Sequence, residues 1–413
     1  MSLTFTPLHV ALCGLALLIL ASPNHARAQV GKESVVYAFQ GGNDGEYPRA
    51  RLTRDKLGNF YGTTYQGGAK YSLGTVFKVT PQGQETILYT FGGQVHAGDS
   101  PLAGLIRDRA GNLYGTASSG GSGCGVDGGC GTVFKLAPDG TETPLYVFGG
   151  GSDGASPTAG LLRDKSGNFY GTAELGGNQN CQGGCGVVFK LAPDGTETVL
   201  YSFKGGNDGM YPFAALIDDA AGNFYGTTPS GGGGSACTYG CGTVFKLAPD
   251  GTETVIHAFA GGTDGFQPLG RLIADGSGNL YGTTSLGGTG GSGIIFKISS
   301  DGTETILHAF TGGSDGLGPI GGLVAFEKRG IFYGTTSGGG GAAACAPYGC
   351  GTVFKLTQDG TETVLYAFAG GNDGASPQDG LTSDGGKFLY GTTESGGGTG
   401  CNSGCGTVFR LRK

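Results

Sequence analysis

The chain has 413 residues, of which 91 are glycine and 16 are proline, and its 25 basic and 32 acidic side chains give a formal net charge of −7. Glycine and proline together make up about a quarter of the residues, a fraction that indicates low complexity or disorder unless the sequence is periodic. The acidic balance argues against nucleic acid as a partner, because binding to phosphates requires a basic stripe.

The N-terminal residues have the pattern of an export signal. Residues 10–21 form a nearly unbroken apolar run, and Ala26-Arg27-Ala28 precedes Gln29, although no lysine or arginine comes before the run. This pattern predicts a signal peptide over residues 1–28 and a mature chain of residues 29–413. An uncleaved anchor is the alternative, but the run is shorter than the roughly 20 residues that a membrane span needs. We expect a secreted or periplasmic protein with no membrane span in the mature chain.

The rest of the sequence is periodic, with the string YGT recurring about every 55 residues. The tyrosines that begin it are Tyr61, Tyr114, Tyr170, Tyr225, Tyr281, Tyr333 and Tyr390. Each period contains four short runs rich in aliphatic, aromatic and threonine residues, separated by Asp-Gly or Gly-Asn steps that suit tight hairpins. Tandem four-stranded units of this length indicate a propeller, so the sequence predicts an all-β fold of seven four-stranded antiparallel blades.

The two ends of the repeat region predict how the ring closes. The mature chain begins with a lone fourth-strand segment, residues 34–39 (SVVYAF), and ends with a unit that lacks this strand, at residues 406–411 (GTVFRL). Seven copies of each strand result only if the N-terminal strand completes the last blade. An open solenoid is the alternative, but it needs capping repeats at its ends. We therefore expect a single propeller domain over residues 29–413.

The YGTT, GTVFKL and GGNDG strings resemble the Gloeo-Verruco (GloVer) tandem repeat over nearly all of the mature chain. This resemblance implies an exported bacterial protein, often with a C-terminal surface anchor, and it implies no particular activity. The present sequence continues only to Lys413 after its last strand-like segment, and we expect no such anchor. The absence of tryptophan excludes the WD type of propeller repeat.

The cysteines outside the signal form five close pairs, each between the second and third strands of a unit. The pairs are Cys124 with Cys130, Cys181 with Cys185, Cys237 with Cys241, Cys345 with Cys350, and Cys401 with Cys405. The two remaining units lack both members, which indicates bridges within each loop, formed in an oxidising compartment. Zinc is the alternative, but each loop offers two sulfurs and no nearby histidine, short of four ligands.

The long loops all lie on one face of the predicted propeller. That face carries the cysteine loops and the GGxDG segments, whereas the other face has only tight turns, so we expect ligands on the long-loop face. The GGxDG segments supply Asp44, Asp153, Asp208, Asp264, Asp315 and Asp373, with Asp99 in an irregular loop. These carboxylates are calcium candidates. The alternative is that each aspartate shapes a turn with the glycine that follows it.

Residues that differ between units are the best candidates for ligand binding, since recurring residues already have a structural role. On the innermost strand, these are Arg49, Arg51, Phe213, Arg271, Gln378 and Asp379. The alternative is that they pack between blades or line a wet channel. His257 and His308 replace a packed tyrosine of other units, so among the histidines of the repeats only His96 is free of a structural explanation.

These observations favour a non-catalytic binding or scaffold propeller that recognises a glycan, a peptide or an envelope component on its long-loop face. The alternative is an extracellular hydrolase or lyase with a site near the axis, for which Arg51, Arg271, Asp379 and His96 are the available polar groups. We expect no redox or nucleotide cofactor, because the sequence has no nucleotide or flavin fingerprint.

Overall fold

A computed structural model describes residues 33–68, 72–92, 98–122, 124, 129–326 and 330–413. The described residues contain seven four-stranded antiparallel sheets, arranged as the blades of a propeller. The predicted fold class is therefore confirmed. The predicted signal peptide lies outside the described residues. None of the described helices is long and apolar enough to cross a membrane.

Each blade consists of an inner, a second, a third and an outer strand, and blades are numbered from the one that begins at Thr53. The inner strands are Thr53–Arg54, Ile106–Arg107, Leu162–Arg163, Ile217–Asp218, Ile273–Ala274, Val324–Phe326 and Thr382–Ser383. The second strands are Phe60–Thr64, Leu113–Ala117, Phe169–Ala173, Phe224–Thr228, Leu280–Thr284, Ile331–Thr336 and Phe388–Thr393. The third strands are Thr75–Val79, Thr132–Leu136, Val187–Leu191, Thr243–Leu247, Ile294–Ile298, Thr352–Thr357 and Thr407–Arg412. The outer strands are Glu85–Thr90, Glu142–Val147, Glu197–Ser202, Glu253–Ala258, Glu304–Ala309, Glu362–Ala367 and, for blade 7, Glu33–Ala38.

Short elements occur between the blades. A two-stranded ribbon pairs Gly98–Asp99 with Ser119–Gly120. The 3-10 turns are Gly42–Asp44, Gly206–Asp208, Gly262–Asp264, Ala343–Cys345 and Gly371–Asp373.

The recurring YGT string is explained by contacts within and between blades. In blade 1 the Tyr61 hydroxyl donates to Asp55 Oδ2 at 3.0 Å, which closes the turn between the first two strands. A Cβ on Gly62 would lie 2.6 Å from the ring of Phe77, so only glycine fits beneath this side chain. The Thr63 hydroxyl donates 3.1 Å to the Ala103 carbonyl of the next blade. The string therefore holds the turn, the sheet packing and the blade junction together.

A ring of phenylalanine pairs joins neighbouring blades. At each of the seven junctions, the phenylalanine after one outer strand packs against a phenylalanine in the third strand of the next blade, with ring centroids 5.0–5.3 Å apart. Aromatic pairs of this kind add about 0.5–1.5 kcal/mol each to the effect of burial. The core is thus shared between blades.

The N-terminal strand closes the ring as predicted. Glu33–Ala38 pairs antiparallel with Thr407–Arg412, so it is the outer strand of blade 7. Phe39, which follows it, is fully buried and packs 5.0 Å from Phe77 of blade 1. Closure therefore joins the two ends of the described chain by backbone hydrogen bonds and by core packing, and it removes two open sheet edges.

The inner strands are the shortest of each blade, with two residues in six blades and three in blade 6. The small residues before them pack against the equivalent segment of the neighbouring blade. A Cβ on Gly380, for example, would lie 2.5 Å from the Gly322 carbonyl oxygen. Because these segments are crowded around the axis, they line it as extended chain without a ladder partner.

All five disulfides connect cysteines of the same loop, four to six residues apart, as predicted. Each bridge lies against the glycine-rich segment that follows the outer strand of its own blade. In blade 7, for example, the sulfur atoms of Cys405 and Cys401 would be 3.0 and 3.1 Å from a Cβ on Gly41. The cysteine loops and the GGxDG segments are therefore on the same face, and this set of bridges is typical of an oxidising compartment.

Candidate functional site

The inner segments of all seven blades surround one cavity of about 990 Å³ on the propeller axis, here called the axial cavity. The sequence-predicted binding residues all line it. They are Arg49, Arg51, Phe213, Arg271, Gln378 and Asp379. Residues that lie far apart in the chain are thus brought together because each occupies an equivalent place in its own blade.

The rim of the axial cavity is positioned by the disulfide loops. Tyr47 lies two residues before Arg49, and its N–H donates to the Cys405 carbonyl at 2.9 Å. Tyr211 likewise lies two residues before Phe213, and its N–H donates to the Cys185 carbonyl at 2.9 Å. Both tyrosines have left-handed backbone conformations, with φ of 59° and 63°. Such strain in a residue other than glycine persists only where its surroundings fix the backbone.

Arg49 and Gln378 share one acidic partner at the rim. Arg49 forms a 2.5 Å ion pair with Glu394, and its guanidinium carbon lies 4.5 Å from the centre of the Tyr65 ring. The Gln378 side-chain amide donates to the other Glu394 oxygen at 2.7 Å. The ion pair crosses the junction between blades 7 and 1, and the other two contacts hold its partners from within their own blades, so together they fix the shape of the rim.

Asp379 and two arginines lie deeper in the axial cavity. The Asp379 carboxylate accepts hydrogen bonds from the backbone N–H groups of Arg51, at 2.9 Å, and Gly380, at 2.5 Å. Burial raises the pKa of Asp379, and these hydrogen bonds and the arginine charges oppose the rise. Burial also lowers the pKa of both Arg51 and Arg271, and in Arg271 the charge of Arg51 lowers it further.

The two deep guanidinium groups have no hydrogen bond with the part of the chain that the structure describes. Among the described residues, neither the Arg51 nor the Arg271 side chain donates a hydrogen bond, and Arg271 Nε is buried without a partner. Both arginines are half-buried, and withdrawing a charged group from water without replacing its hydrogen bonds is costly. The arrangement therefore offers up to ten N–H donors, about five per guanidinium, to a ligand that enters the axial cavity.

Two acidic residues of the cavity were missed by the sequence interpretation. Glu174 and Glu394 both line the axial cavity, and each is the second residue after the YGT string of its unit. Burial raises the pKa of Glu174. The signal was available in the sequence, because this position is one of the few that varies strongly between units. Its members are Tyr65, Ser118, Glu174, Pro229, Ser285, Ser337 and Glu394.

The aspartates of the GGxDG segments have structural contacts. Asp44 accepts from the Tyr37 hydroxyl and from the Gln40 N–H, each at 2.5 Å, and thereby holds its segment against the outer strand. Equivalent backbone bonds to the residue four positions earlier are made by Asp153, Asp208, Asp264, Asp315 and Asp373. Asp99 instead lies in the short two-stranded ribbon. Calcium binding by these carboxylates stays a prediction, although most of their bonds serve the fold.

The two histidines of the outer strands occupy the place of a packed tyrosine, as predicted. The rings of His257 and His308 pack edge-on against Phe259 and Phe310, each at 4.7 Å, as tyrosines do in other blades. His96 lies outside the described residues.

The opposite face also contains a cavity, so it is less uniform than its short turns suggested. This cavity measures about 450 Å³ and lies between blades 3 and 4. Asp164 and Tyr170 line it, and both are the turn-closing residues of their blade, hydrogen-bonded to each other at 3.1 Å. The axial cavity differs from it in combining unit-specific polar side chains of blades 1, 5 and 7.

Comparison with solved structures finds other propellers at low sequence identity. The extracellular domain of a hybrid two-component system from B. thetaiotaomicron is 12% identical with a TM-score of 0.52, over 93% of this chain and 42% of that chain. A gluconolactonase from Xanthomonas campestris is 14% identical with a TM-score of 0.40, over 73% and 82% of the two chains. PorZ, a surface component of the type-IX secretion system of Porphyromonas gingivalis, is 13% identical with a TM-score of 0.49, over 91% and 47%.

At these identities, the similarity to the first structure shows the fold alone. No curated protein matches the sequence. The family comparison is more specific, because the model of the Gloeobacter/Verrucomicrobia repeat matches residues 26–236 and 123–346, which together cover well over half of the chain. The protein belongs to the Gloeobacter/Verrucomicrobia repeat family.

Proposed function

We propose that this protein is an exported, non-catalytic binding propeller that takes up an acidic glycan in its axial cavity. Residues 1–28 are removed on export, and residues 29–413 form the single binding domain. The observation that carries the proposal is the pair of deep guanidinium groups, Arg51 and Arg271, which have no protein hydrogen bond within the described chain.

The charge balance of the deep cavity favours an anionic ligand group. Arg51 and Arg271 bring two positive charges; Asp379 lines the cavity with them, and its charge and that of Asp218 oppose the lowering of the Arg271 pKa. A carboxylate or sulfate would satisfy the guanidinium donors with charge-assisted, bidentate hydrogen bonds, which are the strongest that proteins form with such groups. The binding of an anion would therefore offset the cost of keeping two arginines partly withdrawn from water.

Aromatic residues favour a sugar over a peptide as the carrier of that anionic group. Phe213 lines the axial cavity. On the long-loop face, Tyr239 and Tyr348 stand in cysteine loops with 72% of each residue exposed. Exposed tyrosine rings combine an apolar surface with a polar tip, which suits the alternating C–H and hydroxyl surfaces of a sugar chain leading into the cavity.

The disulfide loops support binding by holding the rim in place. The carbonyls of Cys405, Cys185 and Cys350 each accept a hydrogen bond from the residue that precedes a rim proline. A rim that is rigid before the ligand arrives has less conformational entropy to lose on binding. This is also why the long-loop face is the expected mouth of the cavity.

A hydrolase or lyase is the second candidate, and one observation favours it. Glu174 lines the axial cavity with a pKa raised by burial, which suits a general acid. Glu394, the second acidic residue that an acid/base pair would need, is bound by Arg49 and Gln378, which favours a positioning role. We therefore place binding first.

The proposal is tested on an array of neutral oligosaccharides and their carboxylated or sulfated counterparts, with acidic peptides as a second ligand class. Affinities are then compared for Arg51→Ala and Arg271→Ala, which install the residue that blade 4 carries as Ala215 at the same position. We expect binding of acidic sugars only, and about tenfold to hundredfold weaker binding in each variant, the effect of losing hydrogen bonds to a charged group.

The control is Arg109→Ala, which removes an exposed arginine from a turn of the opposite face. It should leave the affinity unchanged. Equal binding of neutral sugars, preference for acidic peptides, or unchanged affinity in both cavity variants would contradict the proposal. Shortened sugars after long incubation would favour the hydrolase or lyase.

A further inference from the structure

The outer strands meet end to end around the propeller, and each meeting point has the same three-residue pattern. A tyrosine or histidine near the end of one outer strand faces the aspartate of the following GGxDG segment and the glutamate that begins the next outer strand. The six sets with all three residues described are Tyr37, Asp44 and Glu85; Tyr146, Asp153 and Glu197; Tyr201, Asp208 and Glu253; His257, Asp264 and Glu304; His308, Asp315 and Glu362; and Tyr366, Asp373 and Glu33.

In the tyrosine sets the phenol oxygen bridges the gap to the aspartate. The Tyr201 hydroxyl donates to Asp208 at 2.6 Å, and Tyr366 donates to Asp373 at 2.5 Å. A histidine ring is shorter than a tyrosine side chain because it lacks the hydroxyl. A histidine at the same place therefore ends short of the carboxylates.

The His257 set has this gap. His257 Nε2 lies 3.6 Å from Asp264 Oδ2 and 4.0 Å from Glu304 Oε1, both too long for hydrogen bonds. His257 Nε2 and Glu304 Oε1 are both buried atoms with no hydrogen-bond partner. Ligand atoms of three different residues therefore face one another; two of them have no hydrogen-bond partner, and Asp264 Oδ2 accepts the Ala260 N–H at 2.6 Å.

We propose that His257, Asp264 and Glu304 bind a divalent first-row transition metal, with Zn²⁺ as the best match. One ligand atom from each residue lies within 4.8 Å of the others. Three atoms about 4 Å apart surround a point about 2.4 Å from each, so a contraction of a few tenths of an ångström gives the 2.0–2.2 Å of zinc bonds to histidine and carboxylate. The nitrogen ligand argues against Ca²⁺ and Mg²⁺, which prefer oxygen.

The ion would connect two blades. His257 is in the outer strand of blade 4, Glu304 begins the outer strand of blade 5, and Asp264 lies in the segment between them. Side-chain exposures of 13–24% leave the group accessible to an ion from solvent. Three protein ligands also leave a fourth position for water or for an external ligand.

The second histidine set provides an internal comparison. His308 Nε2 lies 3.8 Å from Asp315. Asp264 and Asp315 both accept the backbone N–H four residues earlier, at 2.6 and 2.8 Å, but Asp315 also accepts a hydrogen bond from the Thr311 hydroxyl at 2.7 Å. In the His257 set, the residue at the Thr311 position is Ala260, which has no hydroxyl. Asp264 is thus the freer of the two carboxylates, and the His257 set is the expected binding site.

The test is a calorimetric titration of chelator-treated protein with Zn²⁺, repeated with Co²⁺ to record the visible spectrum of the bound ion. Variants are His257→Tyr and, as matched control, His308→Tyr. Each substitution installs the residue that this fold already carries at the equivalent place in other blades, so both variants should fold. We expect one equivalent of Zn²⁺ in the wild type and in His308→Tyr, and at least tenfold weaker binding in His257→Tyr.

Melting curves with and without Zn²⁺ verify the interpretation, since only proteins that bind the ion should be stabilised by it. In chelator, His257→Tyr should melt no lower than the wild type. Failure of the wild type to bind Zn²⁺ or Co²⁺, or equal binding by His257→Tyr, overturns the proposal. Loss of binding in His308→Tyr alone would overturn the choice of site.

Discussion

Glutamates begin the outer strands, and their ionisation predicts how stability depends on pH. Glu253 is half-buried beside Asp208, and burial first, then the charge of Asp208 and a hydrogen bond to it, raise the pKa of Glu253 to about 8, against the opposing charge of Lys204. The pKa of Glu85 and of Glu197 is raised to about 7 by burial and a neighbouring aspartate. These glutamates therefore keep their proton in the folded protein at pH values where the unfolded chain has lost it.

Glu253→Gln isolates the contribution of one such group. In the wild type, this stabilisation is fully present below the unfolded pKa of 4.5 and is lost as the pH rises through about 8. A pKa unit corresponds to about 1.4 kcal/mol, but solvent screens a half-buried group strongly, so we expect a change of about 1–2 kcal/mol over this range. Glutamine resembles the protonated acid and should remove this part of the pH dependence.

The measurement is urea unfolding of both proteins at pH 5 and pH 9. The stabilities should be similar at pH 5, and Glu253→Gln should be more stable by about 1–2 kcal/mol at pH 9. Glu142→Gln is the control, because Tyr89 donates to Glu142 and opposes the rise in its pKa, so its effect should be smaller. A Glu253→Gln protein that loses stability with pH as steeply as the wild type would refute the reasoning.

Two further predictions concern closure and the disulfides. Deletion of residues 33–40 removes the outer strand of blade 7 and the buried Phe39, so the protein should aggregate or lose its single cooperative unfolding transition in urea; a deletion variant as soluble and stable as the parent would argue against closure. Reduction of the disulfides should weaken acidic-glycan binding more than it lowers the melting temperature, because short closed loops add little global stability. Mutation of Cys181 and Cys185 to serine should have the same effect on the part of the rim at Phe213. Unchanged binding after complete reduction, checked by mass spectrometry, would show that the bridges do not position the rim.

Much of the fold was predictable because the same strand and turn residues recur in seven units of the sequence. The number of blades, the closing strand and the pairing of the cysteines all follow from comparing units with one another. The sequence did not predict that the inner strands shrink to two residues, since that depends on how closely Gly322 and Gly380 of neighbouring blades approach at the axis. Such crowding arises only when the ring is assembled.

The sequence predicted the deep residues of the candidate site but only part of its rim. Arg51, Arg271 and Asp379 stood out because other units have glycine or alanine there. The contact of Arg49 with Glu394 joins residues 345 positions apart, and neither residue indicates the other in the sequence. The sequence also did not predict the gap beside His257, because the gap depends on how far the histidine side chain reaches towards two carboxylates that belong to separate segments.

The most direct test of the central claim is a crystal structure of the protein soaked with a uronic-acid oligosaccharide. The account predicts that a sugar carboxylate lies in the axial cavity, about 2.7–2.9 Å from guanidinium nitrogens of both Arg51 and Arg271, the range of charge-assisted hydrogen bonds. Density for the sugar on the opposite face, or on the long loops with the axial cavity left to solvent, would contradict it.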